Sequence, residues 1–448
     1  MRALPVPLRR RTAPPAHAPF AAHAIGAVAA TAVHSPQDDF TARVAELSEQ
    51  NFYACYQCGM CTAGCPFSFS PQQVIRHLQL GQVDKALALE SVWSCPGCFT
   101  CTANCPKGVD PVRIMRALRS VSPDGHGLRR RAWLIANNHR FAGTGSRFAP
   151  VSNWLMGASA AGLAAHYAVG IHRARSLPPF ARHPFPEWFR ARSPIGDGHR
   201  GTVLLFHDTF MDYNHPDTGI AATELLELAG FRVELTDTVC CGRPMISKGF
   251  ADQAREQART NVERLSEQAA VGLFVVGCEP SCLLTFRSEY PELLRGTDLE
   301  KKAQIVAQQS LLLDEFLAPL AERGELELPF AANGPVLFHA HCQQKAFGTP
   351  SAGLALLRLA GYDAEIVNTA CCGMAGAFGY EKEHYEQSRE AGERDLFPMV
   401  RAHPEAQVVI TGVSCRHQIE HFTGRPTRHL AQALRDAVVQ KPAPRPHD

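Results

Sequence analysis

The sequence predicts an α+β multidomain chain: a small helical N-terminal domain, then two repeated α/β domains, each built on a parallel sheet. Three observations predict it. Two cysteine-dense loops of identical spacing lie at 55–66 and 95–106. The segment at 225–244 recurs without a gap at 356–375. Around each copy, short apolar runs alternate with helical patterns, the signature of strands joined by crossover helices.

Composition narrows the class. A chain of 448 residues suggests about three domains. With 45% hydrophobic and 20% charged residues it reads as an ordinary soluble protein. A net charge of +2 gives no global case for nucleic acid. The 16 cysteines fall in a few short motifs. A chain this long does not need disulfide staples. Clustered cysteines read better as metal ligands, which need reduced thiolates and a reducing compartment.

The domains expected, in order, are 1–40, a disordered extension; 41–125, the cysteine-loop domain; 126–200, a helical and basic linker; 201–325 and 326–436, the two α/β repeats; and 437–448, a tail. The first 37 residues carry four arginines and no acid, but no clear cleavage site follows, so a flexible tail is favoured over an export signal. In the linker, Phe148 to His172 contains no charged residue apart from histidine. It is long enough to span a bilayer, yet rich in Ala, Gly and Ser, so a buried or interfacial helix is expected. Arg129, Arg130 and Arg131 before it, and Arg173, Arg175, Arg182, Arg190 and Arg192 after it, suit either a membrane surface or a solvated linker.

The loops "CYQCGMCTAGCP" and "CPGCFTCTANCP" each read Cys-x2-Cys-x2-Cys-x3-Cys-Pro. A zinc site needs four ligands, usually two separated pairs. Three cysteines two apart wrap one corner of a larger object, a cubane iron–sulfur cluster. The fourth, before Pro66 or Pro106, ligates the other cluster, as in two-cluster ferredoxins. Cys55, Cys58, Cys61 and Cys105 are therefore expected to hold one [4Fe–4S] cluster, and Cys95, Cys98, Cys101 and Cys65 the second. Lys107 can offset cluster charge or stand in solvent. Between the loops, Val74, Ile75, Leu78, Val83 and Leu87 have helical spacing, and "DPVRIMRALRSV" is another short amphipathic helix.

Beyond Gly201 each repeat opens with an apolar run, "TVLLFH" or "PVLFHAH". A helix follows, then a strand near 231–236 or 362–367, a Cys-Cys-Gly loop, a polar helix at 250–268 or 382–396, and a strand in 272–277 or 407–412. Loops leaving the carboxyl ends of such strands share one rim, where ligands bind. The first rim is expected to gather Cys240, Cys241, Cys278 and Cys282, and the second Cys342, Cys371, Cys372 and Cys415. The alternative, buried reduced cysteines, weighs more at the first rim, where Asp208 is taken to stand in the place of Cys342. His207, His339 and His341 are read as hydrogen-bonded rim residues. Gly230 and Gly361 are read as helix C-caps. There is no GxGxxG after a strand and no GxxxxGK, so the clusters need an external electron donor and acceptor.

These motifs resemble a known family. The 50–120 region is similar to the ferredoxin-like subunit of heterodisulfide reductases, and 200–435 to their cysteine-rich CCG domains. The combination resembles the iron–sulfur subunits of anaerobic glycerol-3-phosphate dehydrogenase and glycolate oxidase, and the iron–sulfur half of FAD-linked D-2-hydroxyacid dehydrogenases. The carrying residues are "DTFMDYNHPDTG" (208–219), "CCGRPMISKGF" (240–250), "CEPSCLLTFRSEYPELL" (278–294), "CCGMAGAFGYEKEHYE" (371–386) and "SCRHQIEHFTGR" (414–425). The resemblance implies two [4Fe–4S] clusters and a third iron–sulfur cluster at the second CCG site. It implies electron transfer from an FAD-linked dehydrogenase or oxidase subunit toward quinone or another membrane-bound acceptor, with no nucleic acid. It implies a cytoplasmic location and leaves peripheral attachment to the inner face of the cell membrane open. The alternatives are a heterodisulfide-type reductase acting at the second CCG cluster, and a cluster sensor or scaffold. Gly412 stands where the full motif has another cysteine, and the first repeat lacks the leading one, so neither repeat reaches the five-thiol set.

Overall fold

Pro71 opens a helix whose inward stripe is the one the spacing predicts. The computed structural model describes residues 36–122, 129–157, 162–163 and 165–439. Expectations for residues 1–35 and 440–448 lie outside the described residues. Val74, Ile75 and Leu78 are buried on one face of Pro71–Gln79. Gly81, at φ +67°, then turns the chain out of the helix, so the helical spacing at 71–89 falls in two helices, Pro71–Gln79 and Val83–Leu87, and a third, Glu90–Ser94, follows. Asp110 starts the next helix, Pro111–Val121, by accepting from Val112 N and Arg113 N. Its buried Ile114, Met115 and Leu118 meet Val74, Ile75, Leu78, Val92 and Phe52 in the domain's own core. Each such aliphatic side chain contributes about 1.5–3 kcal/mol.

Two four-stranded parallel sheets follow. The first contains β1 (Thr202–Phe206), β2 (Arg232–Leu235), β3 (Val275–Gly277) and β4 (Ser310–Leu312), in the order β2-β1-β3-β4. The second contains β5 (Pro335–His339), β6 (Asp363–Ile366), β7 (Gln407–Ile410) and β8 (Thr427–His429), in the order β6-β5-β7-β8. All pairings are parallel. Gly230 and Gly361 follow the crossover helices at φ +89° and +102°, the left-handed exit expected of them. The two repeats share one core. Val203, Leu205, Leu225 and Leu226 from the first pack with Val336, Phe338, Leu356 and Leu430 from the second. Strand order reverses beside β1 and beside β5, so the loops after β1–β3 and after β5–β7 converge at crevices on the carboxyl rims.

Sheet register corrects one alignment. Val203 pairs with Val233 and Val336 with Ala364, which makes Asp208 the counterpart of His341. Both residues cap the next helix: Asp208 accepts from Phe210 N and Met211 N, His341 from Gln343 N. Thr209, not Asp208, therefore stands where the second repeat has Cys342.

The linker forms helices Arg129–Ala136, His139–Arg147 and Ala149–Gly157, then a π-helical turn, Ala165–Val169. Among the described residues no helix is long and apolar enough to cross a membrane. Three linker arginines are structural. Arg131 pairs with Glu383, Arg192 with Glu227, and Arg175 is buried inside the second repeat.

Candidate metal centres

The first cysteine loop closes on a cavity. Cys55, Cys58 and Cys61 line it together with Cys105 from the second loop, around about 310 Å³ of empty space. Gly59 (φ +79°) and Phe99 (φ +60°) start the short helices Met60–Ala63 and Thr100–Ala103, which carry Cys61 and Cys101. A left-handed phenylalanine is strained. Phe99 is held by burial, with its ring 4.6 Å from that of Phe347 and the guanidiniums of Arg116 and Arg243 over it at 4.9 and 5.6 Å. The first loop faces solvent: Cys58 is exposed, and Tyr53, Tyr56 and Met60 stand out beside it. Lys107 lies over the Tyr56 ring at 5.7 Å.

The second loop is enclosed. Cys101 feels the charges of Cys95, Cys98 and Cys65, and burial pushes its thiol well up. Cys65, raised by burial to about 11, likewise feels Cys98 and Cys95. Each predicted foursome is thus brought together, the crossed members Cys65 and Cys105 included. Arg119 donates to Cys95 O at 2.6 Å, and Arg116 lies alongside. Their charges offset thiolates at this loop.

The second loop docks on both repeats. Arg243 donates to Gly97 O at 3.2 Å. Arg394 donates to Cys65 O at 2.7 Å, and Phe67 packs edge-on against Phe378 at 4.8 Å. Cys98 packs in one buried cluster with Cys371, and the neighbouring Cys371 thiol draws its own thiol down to about 7.

The second rim gathers all four of its expected cysteines. Cys342, Cys371, Cys372 and Cys415 pack in one buried cluster as free thiols, with Cys371 beside Cys342 and Cys372, and Cys372 beside Cys415. All four are buried. Gly373 is required in this loop: its φ is +94°, and a Cβ there would collide with Ser388 O. A buried arginine and a partly buried lysine attend the site. Lys345, one turn beyond Cys342, feels the charge of all four thiols and donates to Thr369 O at 2.7 Å. Arg175 feels Cys372, is stacked among Tyr380, Tyr385 and Phe422, and donates to Gly379 O and Gln418 Oε1, each at 2.7 Å. Among the described residues neither has a carboxylate in ion-pair range. Cations withdrawn from water need a counter-charge, and thiolates at this rim would supply it.

The first rim gathers three. Cys240, Cys241 and Cys282 pack together as free thiols, with Cys241 between the other two, and His139 from the linker lies beside Cys240. Cys278 is not with them. It packs in the shared core, its thiol pushed up by burial and by the carboxylates of Asp208, Asp314 and Glu279. The reason is local. Cys278 precedes the helix Pro280–Ser288, whose cap is Glu279, so it does not share a helix face with Cys282. Among the described residues no three His, Cys, Asp or Glu side chains converge tightly enough for a single metal ion.

Sequence reasoning missed Arg116, Arg119, His139, Arg175 and Lys345. Lys345 was within reach, three residues along a helix from Cys342. Arg175 carried no periodic signal.

Comparison with known proteins places this geometry. The family model for the 4Fe-4S dicluster domain matches residues 50–109, and that for the cysteine-rich domain matches 204–287. One subunit of the anaerobic glycerol-3-phosphate dehydrogenase of Escherichia coli (strain K12) is 31% identical over 315 residues, covering 68% of this chain and 77% of the relative. The chain belongs to this family. It is an iron–sulfur protein of the dicluster plus cysteine-rich type. Similarity extends to D-2-hydroxyglutarate dehydrogenase of E. coli (strain K12), 28% identical over 239 residues, 53% of this chain but 23% of that longer protein. Lactate utilization protein A of Exiguobacterium sp. (strain ATCC BAA-1283 / AT1b) is 25% identical over 255 residues, 53% of this chain and 98% of the relative.

Proposed function

We propose that the chain is the electron-relay subunit of a flavin-dependent dehydrogenase, passing electrons from a partner flavoprotein through three clusters toward a membrane quinone. The observation that carries this reading is that Cys65 and Cys98 pack in one buried cluster with Cys342, Cys371, Cys372 and Cys415. Ligands of the second cubane and of the second cysteine-rich site would then be in contact. The first cubane, held by Cys55, Cys58, Cys61 and Cys105, is the solvent-facing end and suits a partner's flavin. The second, held by Cys95, Cys98, Cys101 and Cys65, has Arg116 and Arg119 beside it, which favour the extra negative charge of reduction. The third is held by Cys342, Cys371, Cys372 and Cys415. The bound clusters supply one-electron chemistry. The chain's own residues place them, exclude water and set the local charge. The Cys240, Cys241 and Cys282 trio falls outside this line.

The acceptor side is supported by the linker. Residues 125–186 contain no Asp or Glu. Phe148, Val151, Trp154 and Leu155 are exposed on one face of Ala149–Gly157, with Arg140 and Arg147 exposed next to them. An apolar face rimmed by arginines suits a membrane surface.

The test is anaerobic purification of the chain from its own cells. A flavoprotein should copurify, and a 2-hydroxy acid or glycerol 3-phosphate should bleach the cluster absorbance. Absence of flavin, with viologen-driven turnover of a small disulfide that Cys371→Ala abolishes, would replace this reading with a heterodisulfide-type reductase.

A further inference from the structure

His339 ends β5, three residues before Cys342, and its ring is fully buried. Nδ1 lies 3.3 Å from Thr369 Oγ1, which also accepts from Lys345 Nζ at 3.4 Å. Nε2 has no hydrogen-bond partner among the described residues. The ring stands beside Cys372. Buried polar nitrogens are rarely left unpaired in folded proteins, and each exception calls for an explanation. Here the ring that carries the unused nitrogen lies next to Cys372, one of the four thiols of the second site.

The neighbouring residues are engaged in other ways. Gly412 brings no sulfur to the rim, and a Cβ there would meet the ring of His341 at 2.6 Å. His341 thus occupies the space a side chain at 412 would need. Its Nδ1 already accepts from Gln343 N at 3.2 Å as a helix cap. Gln344 and Thr411 bond each other at 2.8 Å. Of these, His339 is the one whose ring nitrogen is fully buried with no hydrogen-bond partner among the described residues.

We infer that His339 Nε2 is an iron ligand of the cluster at the second cysteine-rich site, completing a mixed set with Cys342, Cys371, Cys372 and Cys415. This rests on the reading that the site holds a cluster. With Nδ1–H donating to Thr369 Oγ1, the neutral ring keeps the Nε2 lone pair for the metal, and Thr369 fixes the ring's orientation as partners of metal-bound histidines do. Lys345 anchors Thr369 in turn. An imidazole in place of a thiolate removes one negative charge from the ligand set and raises the reduction potential, as it does where His replaces Cys in Rieske centres. The third cluster would then be a sink at the end of the relay.

The experiment is pulsed electron paramagnetic resonance on the full chain, labelled with ¹⁵N-histidine, reconstituted anaerobically and partly reduced. The expected result is a nitrogen coupling of directly coordinated strength on the third cluster's signal. It should be lost in His339→Ala and in His339→Cys. His339→Cys should keep its iron and sulfide content and show a lower midpoint potential than wild type. Only weak, hydrogen-bond-scale coupling in the wild type, or strong coupling that survives in either variant, overturns the inference. The wild-type measurement needs no variant to fold. A chain with about eight irons and no third signal overturns the underlying reading instead, and the two failures are told apart by iron content.

Discussion

Cys98 and Cys278 show how one residue type takes different tasks a short distance apart. Cys98 sits in a loop between two sulfur sites, and its thiol is drawn down to about 7 by the neighbouring Cys371 thiol. Cys98→Ala should remove one of the two cubane signals in electron paramagnetic resonance while the signal of the Cys55 set survives; an unchanged spectrum would refute the ligand assignment. Cys278 packs in an apolar core among carboxylates. Cys278→Ala should leave iron content unchanged and cost about 1 kcal/mol of stability, the scale of deleting one small buried group. Iron analysis and thermal unfolding under argon check both halves. Spacing placed the first of these cysteines with its expected partners and the second with the wrong ones. Two loops with fixed cysteine intervals leave few ways to surround a cluster, so the pattern is decisive. In "CEPSC" the chain changes direction between the two sulfurs, at the Glu279 cap, and spacing alone does not reveal where a helix begins.

At the same scale, Glu381 has a pH signature. Burial raises its carboxyl, but bonds from His384 and Lys248 outweigh that and hold it at about 2, against an ordinary 4.5. A depressed acid stabilises the fold above its unfolded value, and that stability is lost as pH falls through the folded one. The contribution is about 3 kcal/mol at neutral pH. Glu381→Gln should therefore unfold at lower temperature than wild type at pH 7. The gap should narrow as pH falls below about 4.5; a gap that stays constant would show that the carboxylate charge is not the cause.

Among elements, the linker departs furthest from its sequence reading. Its arginines looked alike, a basic run suited to lipid or to water. The structure divides them. Arg131, Arg175 and Arg192 are turned inward to tie the linker to the repeats, whereas Arg140, Arg147, Arg173, Arg182 and Arg190 remain exposed. Nothing in the local sequence separates the groups, because their partners Glu383, Gln418 and Glu227 come from distant segments. The short strands β4 and β8 were illegible for a related reason: three residues are too few to show a period, and only pairing with β3 and β7 defines them. The exposed face of Ala149–Gly157 makes the linker testable as an element. Wild type should sediment with vesicles containing anionic phosphatidylglycerol and less with zwitterionic ones. Added salt should weaken binding, since each arginine near an anionic surface is worth about 1 kcal/mol. Trp154→Glu with Leu155→Glu should reduce it by roughly ten-fold or more, because the apolar face supplies the rest. Indifference to lipid charge and to both substitutions would leave the face without its proposed partner.

On the scale of the whole molecule, the arrangement suits one direction of the proposed relay. The sulfur sites grade from an exposed loop, through an enclosed loop lined by guanidiniums, to a rim where all four cysteines are buried. A docked donor reaches the first of these most readily, since Cys58, Tyr53, Tyr56 and Met60 are the exposed surface there. A substitution on that surface should impair electron uptake without disturbing the wiring behind it. Tyr56→Glu places a charge where a partner must desolvate the surface, and loss of a central aromatic contact commonly weakens an interface by on the order of 2 kcal/mol or more, some thirty-fold in affinity. The variant should retain wild-type iron and sulfide, with unchanged cubane signals. Reduction by dithionite should be as fast as in wild type, because a small reductant needs no docking surface. Reduction by the partner flavoprotein and its substrate, followed by stopped-flow absorbance, should slow at low flavoprotein concentration and recover toward the wild-type rate at saturation. Equal slowing with both reductants would locate the damage in the cluster. No slowing with the flavoprotein would mean that electrons arrive elsewhere, and the order of the relay would have to be read from the other end.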